Sequence, residues 1–371
     1  MAEQIREDYG VRVADRLAGD VGGRTLGVNA ILLLGMTALL AGAFLLRLAV
    51  GSVSIPLDEV INLLLGNDAS RSSWRIIVLD VRLPTALTAM LAGAGLSIGG
   101  LLMQTLFRNP LADPFILGVS SGASLGVAVI VLTVGSATTM FLAGLGLLGD
   151  LGLALAASIG AGAVMLIVLL VARRVSNGIT LLILGLLFSY MTTAAVSMLI
   201  YFSIPERIQA YISWTFGSFS GVTWGQLVIM TPVIVLGLLG AAVISKPLNV
   251  LLLGEAYAVS MGVDIRRMRY GIIIVTSVLA GTVTAFCGPI GFIGIAVPHL
   301  CRSLFNTSDH RLLIPAAILA GAIIALLTSL IAGVPGSNVV LPLNAVMALV
   351  GAPVVIWVIL RRQNIKDTFA S

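Results

Sequence analysis

The amino-acid sequence predicts an all-α membrane protein that crosses the bilayer about ten times. Of its 371 residues, 58% are hydrophobic and only 10% are charged, whereas a soluble domain carries about 25% charged residues. Apolar stretches of roughly 20 residues, the length that spans a bilayer as a helix, recur along the chain. Because the polar residues are too few to form a water-facing shell, lipid is the expected solvent.

Ten apolar stretches are predicted to span the membrane between two polar tails. The tails cover 1–28 and 363–371, which leaves 29–362 as a single transmembrane domain. The N-terminal tail is too long and too mixed in charge for an ordinary signal peptide, so it is predicted to precede an uncleaved first helix. The predicted spans are 30–50, 85–107, 116–134, 151–172, 180–204, 227–244, 270–286, 290–304, 312–332 and 339–360.

The distribution of basic residues predicts that both termini face the cytoplasm. If the N-terminus is placed inside, only five of the 21 lysine and arginine residues fall in outer segments. These five are Arg47, Arg71, Arg75, Arg82 and Arg207. Because basic residues are enriched in cytoplasmic loops, the excess inside favours an even number of spans.

Nucleotide hydrolysis is not expected on this chain. The phosphate-binding loop requires a lysine followed by serine or threonine, but the only two lysines, Lys246 and Lys366, precede Pro247 and Asp367. An ATP-driven process would therefore need a separate ATPase subunit. The sequence shows no ordered nucleophile and base, so we do not expect an enzyme.

Metal binding and ion coupling are also disfavoured. Cys287, Cys301, His299 and His310 lack the spacing of a zinc or haem site, so no metal is expected. His299 is expected to meet water or a backbone carbonyl. No acidic residue lies in the middle of a predicted span, which argues against a proton-coupled carrier, although a sodium site of backbone carbonyls stays open. The basic residues form no stripe with aromatics, so nucleic-acid binding is not expected.

Two segments rich in proline and glycine predict broken helices, one in each half of the chain. NPLADPFILG, at 109–118, carries Pro110 and Pro114, and proline removes a backbone donor and restricts the preceding residue. CGPIGFIGIAVPHLCR, at 287–302, shows a similar pattern. Such backbone within a bilayer lies inside protein or beside an aqueous cavity. Tight packing around a turn and a cavity-lining role both remain open, and the placement hints at a repeat of spans 2–5 in spans 7–10.

The largest predicted inner loop, 246–269, contains a short amphipathic helix. Gly254 precedes its start at Glu255 and Ala256, and Gly262 is placed to end it. Its apolar side is formed by Leu251, Leu252, Ala256, Val259 and Met261. Such a segment lies on the lipid surface or docks on a cytoplasmic partner, and the missing phosphate loop favours the partner.

Three separated motifs resemble the FecCD family over about residues 30–361. The motifs are RLPTALTAMLAGAGLSIGGLLMQTLFRNPLADPFILGVSSGASLG, GEAYAVSMGV, and GPIGFIGIAVPHLCR followed by DHRLLIPAA. FecCD proteins are membrane permeases of bacterial importers for iron-siderophores, haem and vitamin B12. The resemblance implies the permease fold of a type II ATP-binding cassette (ABC) importer in the bacterial cytoplasmic (inner) membrane.

The resemblance also implies an assembly and a cargo. Two permease subunits, identical or paralogous, would enclose the path, with two cytoplasmic ATPase subunits beneath and an extracytoplasmic substrate-binding protein above. ATP and Mg²⁺ would bind the ATPases, and this chain would hold no cofactor. Siderophore-bound iron is the first cargo expected, with haem or vitamin B12 as alternatives. An ion-coupled secondary carrier and a non-transporting membrane scaffold stay as further hypotheses.

The family motifs also imply roles for individual residues. The helix that couples to the ATPase matches Gly254, Glu255, Ala256, Ser260, Met261 and Gly262. The cytoplasmic gate matches Asn109, Leu111, Asn177 and Gly178, although the last two depart from the serine- and threonine-rich form of some relatives. The pathway wall on the fifth span would consist of Ser189, Thr192, Thr193, Ser197 and Met198.

On the outer face, the resemblance implies a docking site for the binding protein. Arg82 matches an arginine that pairs with a glutamate of the binding protein in relatives. Where some relatives carry a second arginine this sequence has Thr85, and Arg75 or Arg71 is expected to compensate. A solvated charge at the rim is the alternative interpretation of Arg82.

Overall fold

The computed structural model describes residues 27–68, 70–134, 147–172, 178–337 and 339–368, and all regular secondary structure in these ranges is helical. In chain order the helices are α1 (Gly27–Ala49), α2 (Leu57–Leu64), α3 (Ser72–Phe107), α4 (Val119–Ala128), α5 (Leu147–Ala172), α6 (Gly178–Tyr201), α7 (Pro205–Thr215), α8 (Trp224–Val243), α9 (Ser245–Leu252), α10 (Glu255–Ser260), α11 (Ile265–Cys287), α12 (Ile293–Phe305), α13 (His310–Ala332) and α14 (Leu343–Thr368). A 3-10 turn, Pro114–Leu117, precedes α4, and a π-helical turn, Val129–Val134, follows it.

Ten of these helices correspond one for one to the ten predicted spans. Seven are long and apolar enough to cross a membrane, namely α1, α3, α5, α6, α8, α11 and α13. Three shorter apolar helices, α4, α12 and α14, complete the set. The remaining helices, α2, α7, α9 and α10, lie in the connections. The prediction of a polytopic all-α fold is therefore confirmed.

Two helices extend beyond the limits of the spans predicted for them. Helix α3 begins at Ser72 rather than at 85, because a π-helical turn at Ile76–Arg82 carries the helix through the charged residues before Pro84. This turn already interrupts the regular hydrogen-bond ladder, so the missing N–H of Pro84 does not end the helix. Helix α14 continues to Thr368, through most of the predicted C-terminal tail. The N-terminal tail lies almost wholly outside the described residues.

Helix α3 forms the centre of the fold. In its most apolar window 83% of the residues are buried, against 11% for α1 and for α6. A Cβ atom built on Gly93 would lie 2.1 Å from the carbonyl oxygen of Gly321 in α13. A Cβ atom built on Gly160 in α5 would lie 2.1 Å from the carbonyl oxygen of Gly122 in α4. Small residues permit such close helix contacts in membranes, and the pairs α3–α13 and α4–α5 result.

The connection α9–α10 and both ends of the described chain share one side of the fold. The end of α1 contacts Arg82 near the beginning of α3, whereas Arg108, just past the end of α3, contacts Leu251 of α9. Helix α14 begins beside the end of α13 and runs back towards α9. We call these two sides the loop side and the Arg82 side. Their arrangement agrees with an even number of spans.

Candidate functional site

Two glycines delimit the segment that the sequence assigns to coupling. Gly254, with φ 119°, separates α9 from α10, and Gly262, with φ 81°, ends the turn after α10. Glycine adopts these angles without the strain that a side chain would add. The predicted helix from Glu255 to Ser260 is confirmed, and Met261 is its C-cap residue.

The apolar side chains of this segment divide between two faces. Leu251 is buried against the rest of the chain, whereas Tyr257, Val259 and Met261 are 54%, 61% and 56% exposed. Ala256 is exposed as well. The sequence predicted one apolar side, but the structure turns most of it outward. The exposed residues Tyr257, Val259 and Met261 are called the α10 patch below.

Polar contacts hold the coupling segment to the helices behind it. Glu255 and Arg269 of α11 form an ion pair at 3.4 Å, with only 8% of the arginine side chain exposed. Nη2 of Arg108 donates to the carbonyl oxygen of Leu251 at 3.2 Å. The Ser260 hydroxyl donates within its own helix. Glu255 of the coupling segment therefore contacts α11, and Leu251 of the preceding helix α9 contacts the residue after α3.

The predicted gate residues before α4 form a tight turn. Asn109 Oδ1 accepts the backbone N–H of Leu111 at 3.0 Å, which is the geometry of a local cap. Leu111 is 44% exposed, so it does not pack in the core. Gly178 is the first residue of α6, and Asn177 lies outside the described residues.

The two broken segments pack against each other. A Cβ atom on Gly99 would lie 3.1 Å from Pro114, and one on Gly294 would lie 2.5 Å from the same ring. Nε2 of His299 lies at hydrogen-bond distance, 2.8 Å, from the carbonyl oxygen of Pro110. This contact confirms the prediction that His299 meets a backbone carbonyl. Tight packing therefore accounts for Gly294 and Pro114, where the two segments meet.

The 109–118 segment also contacts α6. A Cβ atom on Gly185 would lie 2.5 Å from the carbonyl oxygen of Ile116, and one on Gly118 would lie 3.3 Å from Oγ of Ser189. Gly118 has φ 80°, so its position already favours glycine. This segment therefore connects the α3–α12 contact to the helix that carries the predicted pathway residues.

The predicted pathway residues lie on α6, which with α1 is the least buried of the seven long apolar helices described. Thr193, Ser197 and Met198 are exposed, and Ser189 and Thr192 are half-buried. The hydroxyls of Ser189, Thr192 and Ser197 donate to carbonyls of their own helix. These hydroxyl oxygens can still accept hydrogen bonds, so the surface is weakly polar.

Arg82 does not lie on an exposed rim, which corrects the position expected from the sequence. Only 4% of the residue is exposed. Its Nη1 donates to the carbonyl oxygens of Leu48 at 2.7 Å and Ala49 at 2.9 Å, and its Nη2 donates to Val53. Unpaired carbonyls collect at the C-terminal end of a helix and attract cations. Arg82 therefore closes the end of α1, and docking through it would require these bonds to open.

Arg75 has the exposed position that Arg82 lacks. Its side chain is 58% exposed and lies 3.7 Å from the exposed carboxylate of Asp68. Arg82 instead lines an open cavity of about 590 Å³ together with Arg47, whose Nε donates to the Ser329 hydroxyl at 3.0 Å. The two predicted docking arginines are thus in different environments.

The sequence matches a known family of transport proteins over most of its length. Residues 24–361 match the FecCD transport family. The chain belongs to the FecCD family. Its ten apolar helices and three motifs fit that assignment, and the chain is a multi-pass membrane permease subunit of an ABC importer.

Proteins similar to this FecCD chain include permeases named for vitamin B12 import. The BtuC permease of Klebsiella pneumoniae subsp. pneumoniae is 36% identical over 332 residues, which cover 90% of this chain and 94% of the relative. The BtuC permease of Salmonella arizonae is 37% identical over 290 residues, covering 78% and 84%. An inward-facing structure described as a metal-chelate type ABC transporter matches with TM-score 0.78 and 28% identity, covering 90% and 99%.

The second broken segment of the FecCD chain is a bent, closely packed connection. Gly288, with φ 74°, and Phe292, with φ 69°, turn the backbone between α11 and α12. Cys287 and Cys301 are buried free thiols. Among the described residues, no group of three or more histidine, cysteine or acidic side chains is placed to hold a metal ion. The start of this segment, at Cys287, also lines a cavity of about 350 Å³, so packing and cavity lining both occur in it.

Three further residues near the coupling segment were missed by the sequence analysis. Asn249 on α9, His310 on α13 and Thr105 on α3 form a buried hydrogen-bond chain on the loop side. The one sequence feature that could have indicated this site is Asp309, whose side chain caps the helix that begins at His310. A long-range contact between α9 and α13 is not visible in local sequence patterns.

Proposed function

We propose that this FecCD permease forms the path for vitamin B12, a cobalt chelate, across the bacterial inner membrane. The observation that carries the proposal is the 36% identity to a vitamin B12 permease over 94% of that relative's length. Siderophore iron, the cargo first expected from the sequence, has less support than this alternative. The matching structure is of the metal-chelate type, which fits a corrinoid.

The α10 patch supports an ATPase partner on the loop side. Tyr257, Val259 and Met261 expose apolar surface at the edge of a rigid helical turn, and exposed apolar groups rimmed by polar ones mark interaction sites. Exposed Arg266 and Arg267 follow them. The loop side is thus proposed to be cytoplasmic, with ATP and Mg²⁺ bound by the partner. Both termini would then be cytoplasmic as well.

The exposed face of α6 supports a second permease subunit. Met198 and its neighbours Tyr190, Met191, Tyr201 and Phe202 are 63–84% exposed. Large aromatic and methionine side chains are enriched at protein interfaces. We propose that a second copy or a paralogue faces this surface, with the weakly polar residues of α6 lining the path between them.

The turn at 109–118 supports a gate at the loop side of that path. It contacts α6 at Gly185 and α12 at Gly294, so a shift of either helix would move Asn109 and Leu111. Gly178 lies at the loop-side start of α6. Asn109, Leu111, Asn177 and Gly178 are therefore kept as the proposed gate.

Docking of an extracytoplasmic binding protein is proposed for the Arg82 side. Arg75 offers an exposed charge there, whereas Arg82, which lines the 590 Å³ cavity with Arg47, would reach an incoming carboxylate only if its hydrogen bonds to α1 opened. Charges at a rim mainly set the rate of encounter and the orientation of docking. Cargo selection would then lie mainly on the binding protein.

Reconstitution in liposomes tests the proposed function. The permease is assembled with its co-encoded ATPase and binding protein, and uptake of cobalamin, a ferric siderophore and haem is measured with ATP or with a non-hydrolysable analogue. We expect ATP-dependent uptake of cobalamin. Preference for the siderophore or haem would reject the cargo, uptake that needs only an ion gradient would indicate a secondary carrier, and binding without entry would indicate a scaffold.

A further inference from the structure

Asn249 lies on α9, directly before the coupling segment, and joins this helix to the beginning of α13. Its Oδ1 accepts the backbone N–H of His310 at 2.8 Å and lies 2.8 Å from Nδ1 of the same residue. Its Nδ2 donates to Oδ1 of Asp309 at 2.6 Å. The amide orientation is defined by these partners, because the reverse orientation would place two donors against each other. One side chain of α9 therefore makes three contacts with the N-terminal end of α13.

His310 extends this connection to α3. Its Nε2 lies 2.8 Å from Oγ1 of Thr105, and both residues are almost fully buried, at 1% and 2% exposure. The Thr105 hydroxyl also lies 2.8 Å from the carbonyl oxygen of Leu101. Since Oδ1 of Asn249 can only accept, Nδ1 of His310 carries a hydrogen. The imidazole thus bridges α9 and α3 through its two opposite nitrogens.

The two helices reached by this chain pack closely against each other. Gly93 of α3 and Gly321 of α13 are in backbone contact, with 2.1 Å between a Cβ atom built on Gly93 and the carbonyl oxygen of Gly321. Closely packed interiors shift between discrete arrangements rather than deforming continuously. A displacement delivered to the loop-side ends of α3 and α13 would therefore move the pair together.

We propose that Asn249, His310 and Thr105 are positioning residues that transmit movement of the coupling segment to the α3–α13 pair. The inference rests on the proposed ATP-driven import. Gly254 separates α10 from α9 with a backbone angle that allows bending. A movement of α10 can reach the transmembrane helices only if α9 is attached to them. This hydrogen-bond chain attaches α9 to α13 and α3.

The first test measures how much cargo enters for each ATP hydrolysed. Asn249→Ala and Thr105→Val are assembled with the ATPase and binding protein in liposomes. Thr284→Val is the matched control, because its buried hydroxyl bonds only the Ala280 carbonyl of its own helix. We expect ATP hydrolysis to continue while cargo per ATP falls at least roughly fivefold in both test variants, the lower range of couplings between sites. The control should stay within twofold of wild type, and equal ratios in test variants and wild type would overturn the proposal.

A double variant separates transmission from a purely structural role. If one chain carries the movement, Asn249→Ala combined with Thr105→Val should lower cargo per ATP no further than the worse single variant, because the chain is already cut. Two independent structural defects would instead multiply. Multiplicative losses would therefore contradict the proposed connection.

Amide hydrogen exchange provides a readout that does not depend on the cargo. In the assembled complex, Asn249→Ala should increase exchange in both 245–252 and 310–314, whereas Thr284→Val should leave these segments unchanged. If exchange in these segments does not increase in Asn249→Ala, the proposed connection through Asn249 is overturned even if wild-type import is ATP-driven. If exchange rises as expected but wild type imports nothing with ATP, the proposed function fails and the transmission role fails with it.

Discussion

Gly100 of α3 and Gly294 of α12 meet backbone to backbone. A Cβ atom built on Gly100 would lie 1.9 Å from the carbonyl oxygen of Gly294, and one on Gly294 would lie 2.5 Å from the Pro114 ring. Helix α3, the turn that follows it and the distant helix α12 therefore converge where no side chain fits. This convergence places the 109–118 turn between the central helix and α6, so packing at Gly100 bears directly on the proposed gate.

Gly100→Ala should strongly destabilise the permease. The added methyl group meets backbone rather than a flexible side chain, so α3 and α12 must separate, and overpacking of this kind costs about 2–3 kcal/mol. Gly271→Ala in α11 is the control, because a Cβ atom there meets nothing within 4 Å. The thermal unfolding midpoint in detergent, together with yield of monodisperse protein, would measure the difference. Equal midpoints for the two variants would show that α3 and α12 do not pack this closely.

Arg82→Gln should destabilise the end of α1. A glutamine cannot reach the three carbonyl acceptors of Arg82, and leaving buried acceptors unpaired costs about 2–3 kcal/mol. Arg75→Gln is the matched control, because its exposed ion pair is worth less than about 1 kcal/mol. Unfolding midpoints of both variants should be compared with their affinity for the binding protein. Arg82→Gln could instead keep its stability and lose affinity for the binding protein. That result would favour a direct contact of Arg82 with the binding protein over its role in bonding the carbonyls at the end of α1.

Val259→Asp should abolish binding of the ATPase without unfolding the permease. Val259 is 61% exposed within the α10 patch, so a charge there alters stability little but must be desolvated in an apolar interface. Leu65→Asp, at a residue 73% exposed on the Arg82 side, serves as the control. Co-purification of the ATPase with each variant is the measurement. Retention of the ATPase by Val259→Asp would move the proposed contact away from α10.

The transmembrane architecture could be predicted from the sequence because lipid imposes a simple length rule. Ten apolar stretches became ten apolar helices, and Gly254 and Gly262 delimit α10 as their backbone freedom suggests. The residues at which the helices begin and end were less predictable. Pro84 and the charges before it indicate a helix start, but a π-helical turn, stabilised by long-range contacts, extends α3 to Ser72.

The candidate sites were predicted less well because burial depends on contacts between distant segments. Arg82 was expected at the rim, yet the end of α1 supplies acceptors that draw it inside. The division of Leu251 and Val259 between opposite faces depends on the packing of α9 against α3. The chain Asn249–His310–Thr105 joins residues up to 205 positions apart, and no local periodicity indicates it.

Asp309 should make the loop side sensitive to acid. Burial alone would raise the pKa of this carboxyl group, but hydrogen bonds from the Arg311 N–H and from Asn249, together with the Arg311 charge, outweigh it and hold the pKa below its usual value. A lowered folded-state pKa means that the carboxylate stabilises the fold above the unfolded-state value, near pH 4, and that this contribution disappears as the pH falls through the folded-state pKa.

Asp309→Ala should therefore lower the free energy of unfolding by about 1 kcal/mol at pH 7, because the cap of α13 is lost. This difference from wild type should shrink below about pH 4. Asp309→Asn is the comparison, because asparagine caps helices as well as aspartate does but does not titrate. Unfolding midpoints between pH 3 and pH 7 give the test. The stability deficit of Asp309→Ala could instead grow on acidification. The protonated carboxyl group would then stabilise α13 more than the carboxylate does, which would contradict the stabilising role assigned to the hydrogen bonds from Asn249 and Arg311.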